Sequence, residues 1–382
     1  MSEYQYYEFQ AIDRPLGKAD QEALRRLSTR ARITATGFTN AYEWGSFKGD
    51  PAKLMETWFD LHLYLANWGA RRLMIRWPAR LVDRRLLAPF LDAVHYAELW
   101  SAGQHLILDI DFDEEDPDDW DAGWDDGSGW LAALAPLRAD VLDGDLRLFY
   151  LLWLRAVATD AIAPDAPEPL PGIGPVTGAL EAFAEFFHID RDLVSAAAER
   201  AADPLAGEQA SSKAAEPVIA AMTDPEKTSL LLRLFNGDPH VGSELRALVR
   251  HRLMPAPDAP PVPPRTAGDL LARAEVVRQA RERAQAEEAA AERKRREEEA
   301  ERARRARLDA LARRGDGVWR EIETEIERRN GPGYDKAASL LHDLRAIAEE
   351  QGTLADFIGR VHELRARHAQ KRRMIDRLAE LG

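Results

Sequence analysis

The 382-residue chain contains no cysteine. That absence excludes disulfide staples, thiolate zinc sites, iron–sulfur ligation and cysteine nucleophiles together. Long apolar runs are missing as well. The densest, residues 146–157, is interrupted by Arg147 and Arg155, whereas a spanning helix needs about 20 predominantly apolar residues. The opening MSEYQYYEFQAIDR has no basic start followed by an apolar core, the pattern of a secretory leader. Nor is there an excess of positive charge. With 52 Lys and Arg against 66 Asp and Glu the net charge is −14, so no global attraction to nucleic acid or anionic lipid is expected. Together these absences predict a soluble cytoplasmic protein with no membrane partner.

What is present divides the chain. Residues 265–382 hold 27 Lys/Arg against 24 Asp/Glu, which leaves 25 against 42 for residues 1–264. Between the two parts lies PAPDAPPVPP, whose prolines donate no amide hydrogen bonds and favour a stiff, extended spacer. Nine of the ten tryptophans precede Asp160, which puts the largest aromatic payload, and with it a compact core, in the N-terminal part.

Periodicity within residues 1–126 predicts an α+β domain, a mixed sheet with packed helices, ending in an acidic loop. YQYYEFQAI reads as a strand and residues 19–27 as a helix. Between Arg32 and Trp44 the apolar face changes near Gly37, which predicts a bulge there. Asp50-Pro51 is an N-cap and first-turn pair, and Leu54, Met55, Trp58, Leu61 and Leu65 follow at helical spacing, so a well-buried helix is expected to run to Gly69. A strand over 72–77, a helix over 82–91 and a hairpin of 94–100 with 105–112 complete the domain.

Residues 127–254 read as an all-α region packed on that domain, with helices over 130–141, 145–161, 176–187, 193–201, 226–235 and 243–253. Asp224-Pro225 and Asp238-Pro239 repeat the capping device at two helix starts. Residues 202–216 are poor in large apolar side chains and read as mobile. A Pro-rich linker over 255–266 leads to one long charged helix over 267–314, about 70 Å if unbroken. Between Val277 and Leu308 no apolar residue is larger than alanine, which removes the seam a coiled coil needs. Glu292 with Arg296, Glu298 with Arg302 and Glu301 with Arg305 are spaced for intrahelical ion pairs. Residues 316–382 form a small C-terminal helical bundle, from stripes at Trp319, Ile322, Ile326, at Ala337, Leu341, Leu344, Ala348 and at Leu354, Phe357, Val361, Leu364.

The C-terminal run YDKAASLLHDLRAIAEEQGTLADFIGRVHELRARHAQKRRMIDRLAEL resembles a helical module found in many uncharacterised bacterial proteins, some of which carry a SWIM zinc finger upstream. YQYYEFQAIDRPL and SFKGDPAKLMETWFDLHLYLANWG also resemble a bacterial family of unknown function. The resemblance implies shared modular organisation and shared partners. It carries no catalytic residue across, and without cysteine this chain lacks the thiolates of the zinc-finger members.

The densest chemical signal is the acidic stretch 109–126, with eleven Asp/Glu and no Lys/Arg. On a strand, Asp109, Asp111 and Asp113 share one face and would suit a hard cation, Ca²⁺ or Mg²⁺. An EF-hand is excluded, because Glu114 and Trp120 stand where its glycine and last carboxylate belong. The alternative is a solvated acidic loop. Asp60 with His62, and His362 with His368, are the nearest histidine pairings, but on helices neither spacing faces its partner. PGIGPVTG lacks a P-loop lysine and reads as a loop before a helix. The basic clusters at 293–296, 302–307 and 371–373 are diluted by glutamate or lack aromatic stacking partners. No cofactor beyond a divalent cation is expected. The pattern predicts a non-catalytic interaction or scaffold protein whose partners are other proteins. An auxiliary role in a nucleic-acid-processing assembly is the alternative, and a metal-dependent enzyme the third reading.

Overall fold

A computed structural model describes residues 4–112, 125–201, 212–253 and 263–371. The chain divides into two compact units, 1–280 and 281–382. The first has the expected α+β character, with a seven-stranded sheet in the order β2-β3-β1-β4-β5-β7-β6. Its strands are β1 (Gln5–Gln10), β2 (Arg32–Ile33), β3 (Gly37–Tyr42), β4 (Leu61–Ala66), β5 (Arg71–Pro78), β6 (Ala97–Ala102) and β7 (His105–Phe112). Every ladder between them is antiparallel.

Period-two alternation assigns the two faces. Leu61, Leu63 and Leu65, Leu73, Ile75 and Trp77, and Leu106, Leu108 and Ile110 point into a core shared with α3 (Arg84–Leu91), α4 (Trp130–Leu134), α5 (Pro136–Leu142), α6 (Arg147–Ala158), α7 (Gly178–Phe186) and α8 (Arg191–Ala198). Tyr7, Phe9, Phe38, Met74 and Ile107 point the other way, into a smaller core beneath α1 (Lys18–Leu27) and α2 (Pro51–Thr57). Helix α6 is buried along almost its whole length, as an all-round apolar helix must be.

Three local expectations are corrected. The helix expected to Gly69 ends at Thr57, and residues 61–66 are a central strand. Leu61 and Leu65 fit both periods, but Leu63 fits only the strand, and pairing on both sides by β1 and β5 decides the matter. The face change near Gly37 is a chain reversal between β2 and β3, closed by the Thr34 amide donating to the Gly37 carbonyl at 2.9 Å. The helix expected over 130–141 is two, because Pro136 has no amide proton and starts α5.

Beyond residue 211 come α9 (Ser212–Ala220), α10 (Asp224–Phe235) and α11 (Val241–Leu253). Thr223, one residue before the expected Asp224, is the cap of α10 and shares a capping box with Glu226. Of the segment 202–216 read as mobile, residues 212–216 open α9, and 202–211 lie outside the described residues, as do 255–262 of the Pro-rich linker. Helix α12 (Ala267–Arg314) is one continuous helix. Its first turns bury Ala267, Leu270 and Ala274 in the first unit.

In the second unit α13 (Asp316–Glu327), α14 (Gly331–Gln351) and α15 (Leu354–Arg367) enclose a core of Val318, Ile322, Ile326, Leu341, Phe357, Val361 and Leu364, joined by Leu308 and Leu311 from the end of α12. The predicted apolar stripes are the ones that meet there. Gly352, at φ +70°, closes α14 as a left-handed cap.

Candidate functional site

One end of the sheet gathers a cluster of ionisable groups. Beyond β1, the amides of Ile12 and Asp13 donate to Asp60 Oδ2 at 2.6 and 2.9 Å. Asp60 is fully buried immediately before β4, and its Oδ1 accepts from Arg76 Nε and Nη2 at 3.1 and 2.9 Å. Arg76 lies near the end of β5 and also donates to the Met55 carbonyl at 2.8 Å, in the last turn of α2. A buried charge is tolerable only when paired and hydrogen-bonded, and this pair is both.

Arg138, buried on α5, extends the cluster. Its Nε donates to the Arg76 carbonyl at 2.8 Å and its Nη2 to Asp13 Oδ2 at 2.7 Å. The same carboxylate oxygen lies 2.9 Å from His240 Nε2. Burial raises the cost of ionising Asp13, but the hydrogen bonds from His240 and Arg138 and the guanidinium charge outweigh it and hold its carboxyl at about 2. Because that carboxylate can only accept, Nε2 of His240 is the protonated nitrogen and Nδ1 is left for another partner. His240 is set by Asp238, whose Oδ1 accepts its amide at 2.9 Å just before α11.

Asp13 and His240 form part of the wall of a cavity of about 550 Å³, with Pro78, Ala79, Arg80, Gln104, His105 and Pro239. The β6–β7 turn delivers Gln104 and His105 to it. Burial holds the His105 ring below its usual range, and the Arg76 charge adds to this. Arg80 is occupied on the outside, pairing with Asp238 at 3.0 Å and with Glu244. An imidazole oriented by a carboxylate beside a cavity is equipped to pass a proton. Here the same contacts also fasten α11 and α5 to the end of the sheet.

The residues singled out in the sequence lie elsewhere. Asp109 and Asp111 are on β7, on one face as expected, and Asp113 lies outside the described residues. Asp109 receives two parallel hydrogen bonds from Arg72 on β5, 2.8 and 2.6 Å long, and Asp111 sits 3.5 Å from the same guanidinium. Among the described residues no group of three or more His, Asp or Glu side chains is placed to hold a metal ion. Asp60 and His62 diverge. His62 stacks on Phe9 with ring centroids 3.9 Å apart, its Nδ1 3.0 Å from the Glu8 carbonyl. The PGIGPVTG loop is shut against α8, because a Cβ on Gly172 would meet the Arg200 carbonyl oxygen at 2.2 Å and one on Gly174 the Ala198 oxygen at 2.4 Å. Buried Arg147 holds the same loop through the carbonyls of Ile173 and Pro175 at 3.2 and 2.5 Å.

Sequence reasoning missed Asp13 and His240 because 227 positions separate them. The one available signal was Asp238-Pro239-His240, read only as a helix start. A second buried pair was missed for the same reason: Glu168 accepts from Arg265 Nη2 and the Tyr150 hydroxyl at 2.8 and 2.9 Å. Comparison with protein-family models, with curated proteins and with solved structures finds no match to this chain.

Proposed function

We propose that this chain is a non-catalytic interaction or scaffold protein of the cytoplasm, with other proteins as its partners. The observation that carries the reading is on α12. Every residue from Glu282 to Arg307 is exposed, and none of them has an apolar side chain larger than alanine. Such a stretch has nothing to bury, so its role is connection and not packing. It is sustained within itself, with Arg296 paired to Glu292, Lys294 3.9 Å from Glu298 and Arg304 3.9 Å from Glu301. Of the three expected pairs the first is present, whereas Arg302 donates to the Glu298 carbonyl and Glu301 meets Arg304. Basic groups already facing glutamate are poorly free for phosphates, which supports protein partners over nucleic acid.

The charged groups at the end of the sheet support the same reading, because Asp13, Asp60, Arg76 and Arg138 satisfy one another. The test is affinity capture from the source cell with residues 1–280 and 281–382 as separate baits, each checked for folding by circular dichroism. Distinct proteins retained at stoichiometric levels by the two baits support a tether. Recovery of nucleic acid by either bait, lost on raising the salt, would replace this reading with the nucleic-acid alternative.

A further inference from the structure

Helix α10 is mounted with its polar side inward. Arg233 faces the rest of the unit, where it donates to Asp238 at 2.8 Å and to Glu244 at 2.7 Å, and Arg80 on the sheet side binds the same two carboxylates. Leu231, Leu234 and Phe235 follow at i, i+3 and i+4 and so share the opposite face, with Leu232 at its border. They are 65, 59, 87 and, for Leu232, 56 % exposed, and no residue of α10 is buried. Single exposed leucines are ordinary, but four large exposed apolar side chains within five helical positions are not.

We infer that this face of α10 is the contact between two copies of the chain, packed about a twofold axis. Its area points there. At about 200 Å² for a large side chain, the exposed fractions leave about 500 Å² on one copy and about 1,000 Å² over a pair, the lower bound for a specific interface and the size of a reversible dimer. Its composition is self-complementary, since the four side chains carry no charge and an isologous contact sets the same patch against itself. The ionic anchor beneath sets the orientation: Arg233 is the α10 member of the cluster, and turning the apolar side inward would break its pairs with Asp238 and Glu244, which Arg80 holds in place. A partner helix therefore meets a preformed surface, which lowers the ordering cost of association.

The experiment uses the full chain. Sedimentation equilibrium from about 1 to about 100 µM should give a dimer for the wild type, and the double variant Leu231→Arg, Phe235→Arg should weaken association at least about a hundredfold. Both positions are exposed, so the thermal melt by circular dichroism should not move, which separates lost contact from lost fold. The absence of native cysteine allows a second readout. A Leu231→Cys variant should form an intermolecular disulfide under mild oxidation, whereas a Leu86→Cys variant, at a position 60 % exposed on α3, should not. A wild-type monomer throughout the range overturns the inference, as does a dimer that the double variant leaves intact. Slow reaction of a monomeric Leu231→Cys variant with a thiol reagent also overturns it, by showing that another part of the same chain covers the face.

Discussion

Arg72 holds Asp109 with two parallel hydrogen bonds across β5 and β7 and lies 3.5 Å from Asp111. The guanidinium therefore stands where a divalent cation bound by these two aspartates would have to stand. Millimolar Ca²⁺ or Mg²⁺ should leave the urea midpoint of the wild type unchanged, since a ligand that binds only the folded state would raise it. Asp109→Asn should destabilise the first unit by about 1 to 3 kcal/mol, because Arg72 loses the charge of its bidentate partner. A midpoint that rises with Ca²⁺ in the wild type, and not in Asp109→Asn, would restore the metal reading.

Phe59 and Trp58 are neighbours in sequence with opposite fates. Phe59 is fully buried in the smaller core, whereas Trp58 is half-buried at the end of α2, with its indole N–H on Asp20 at 2.9 Å. Phe59→Ala should cost about 3 to 5 kcal/mol through the cavity it leaves. Trp58→Ala should cost clearly less, and denaturant unfolding of the two variants decides the order.

His62 gives the smaller core a pH dependence. Burial pushes its ring from 6.5 down to about 3, and the Arg72 charge adds to this against the backbone contact with Glu8. The folded chain therefore binds fewer protons at this site than the unfolded chain. The stabilisation is complete above pH 6.5 and is lost progressively as the pH falls toward 3. His62→Phe, which keeps an aromatic ring over Phe9, should lose less stability than the wild type between pH 6.5 and 4. Parallel pH profiles of the urea midpoint would show that His62 does not carry the effect.

Glu168 anchors the residues that lead into α12. Its side chain is fully buried, binds Arg265 and Tyr150, and lies 3.6 Å from Arg200. Glu168→Ala should cost about 3 to 5 kcal/mol, since truncating one side of a buried pair strands the other charge. Arg265→Ala should behave alike, and the double variant should cost less than the sum of the two. Strict additivity, measured by urea unfolding, would show that the two residues are not coupled.

What the sequence made legible follows the range of the forces involved. The long charged helix, the bundle stripes at Ile322, Leu341 and Val361, and strands such as 105–112 depend on neighbours within a few residues, and all were visible. Residues 61–66 were not, because Leu61 and Leu65 satisfy helical and strand spacing alike, and only pairing with β1 and β5 chooses between them. The fate of Asp109 was hidden for a similar reason. Its face could be read from alternation, but the guanidinium that occupies it comes from another strand, 37 positions away. The cluster around Asp13 was hidden but for the Asp238-Pro239 helix start, since Arg138 and His240 arrive from 125 and 227 positions downstream.

The Asp13–His240 contact has a consequence for biogenesis. A ribosome releases the chain from its N-terminus, so Asp13 emerges long before His240 exists. The loop closed by this contact spans 227 positions, and non-local closure of that kind is slow and leaves apolar surface uncovered in the meantime. The C-terminal bundle closes over far shorter separations, with Arg360 meeting Asp316 across 44 positions. The second unit therefore has the shorter path to its native state, while the first, emerging earlier, leaves its apolar surface uncovered for longer during synthesis.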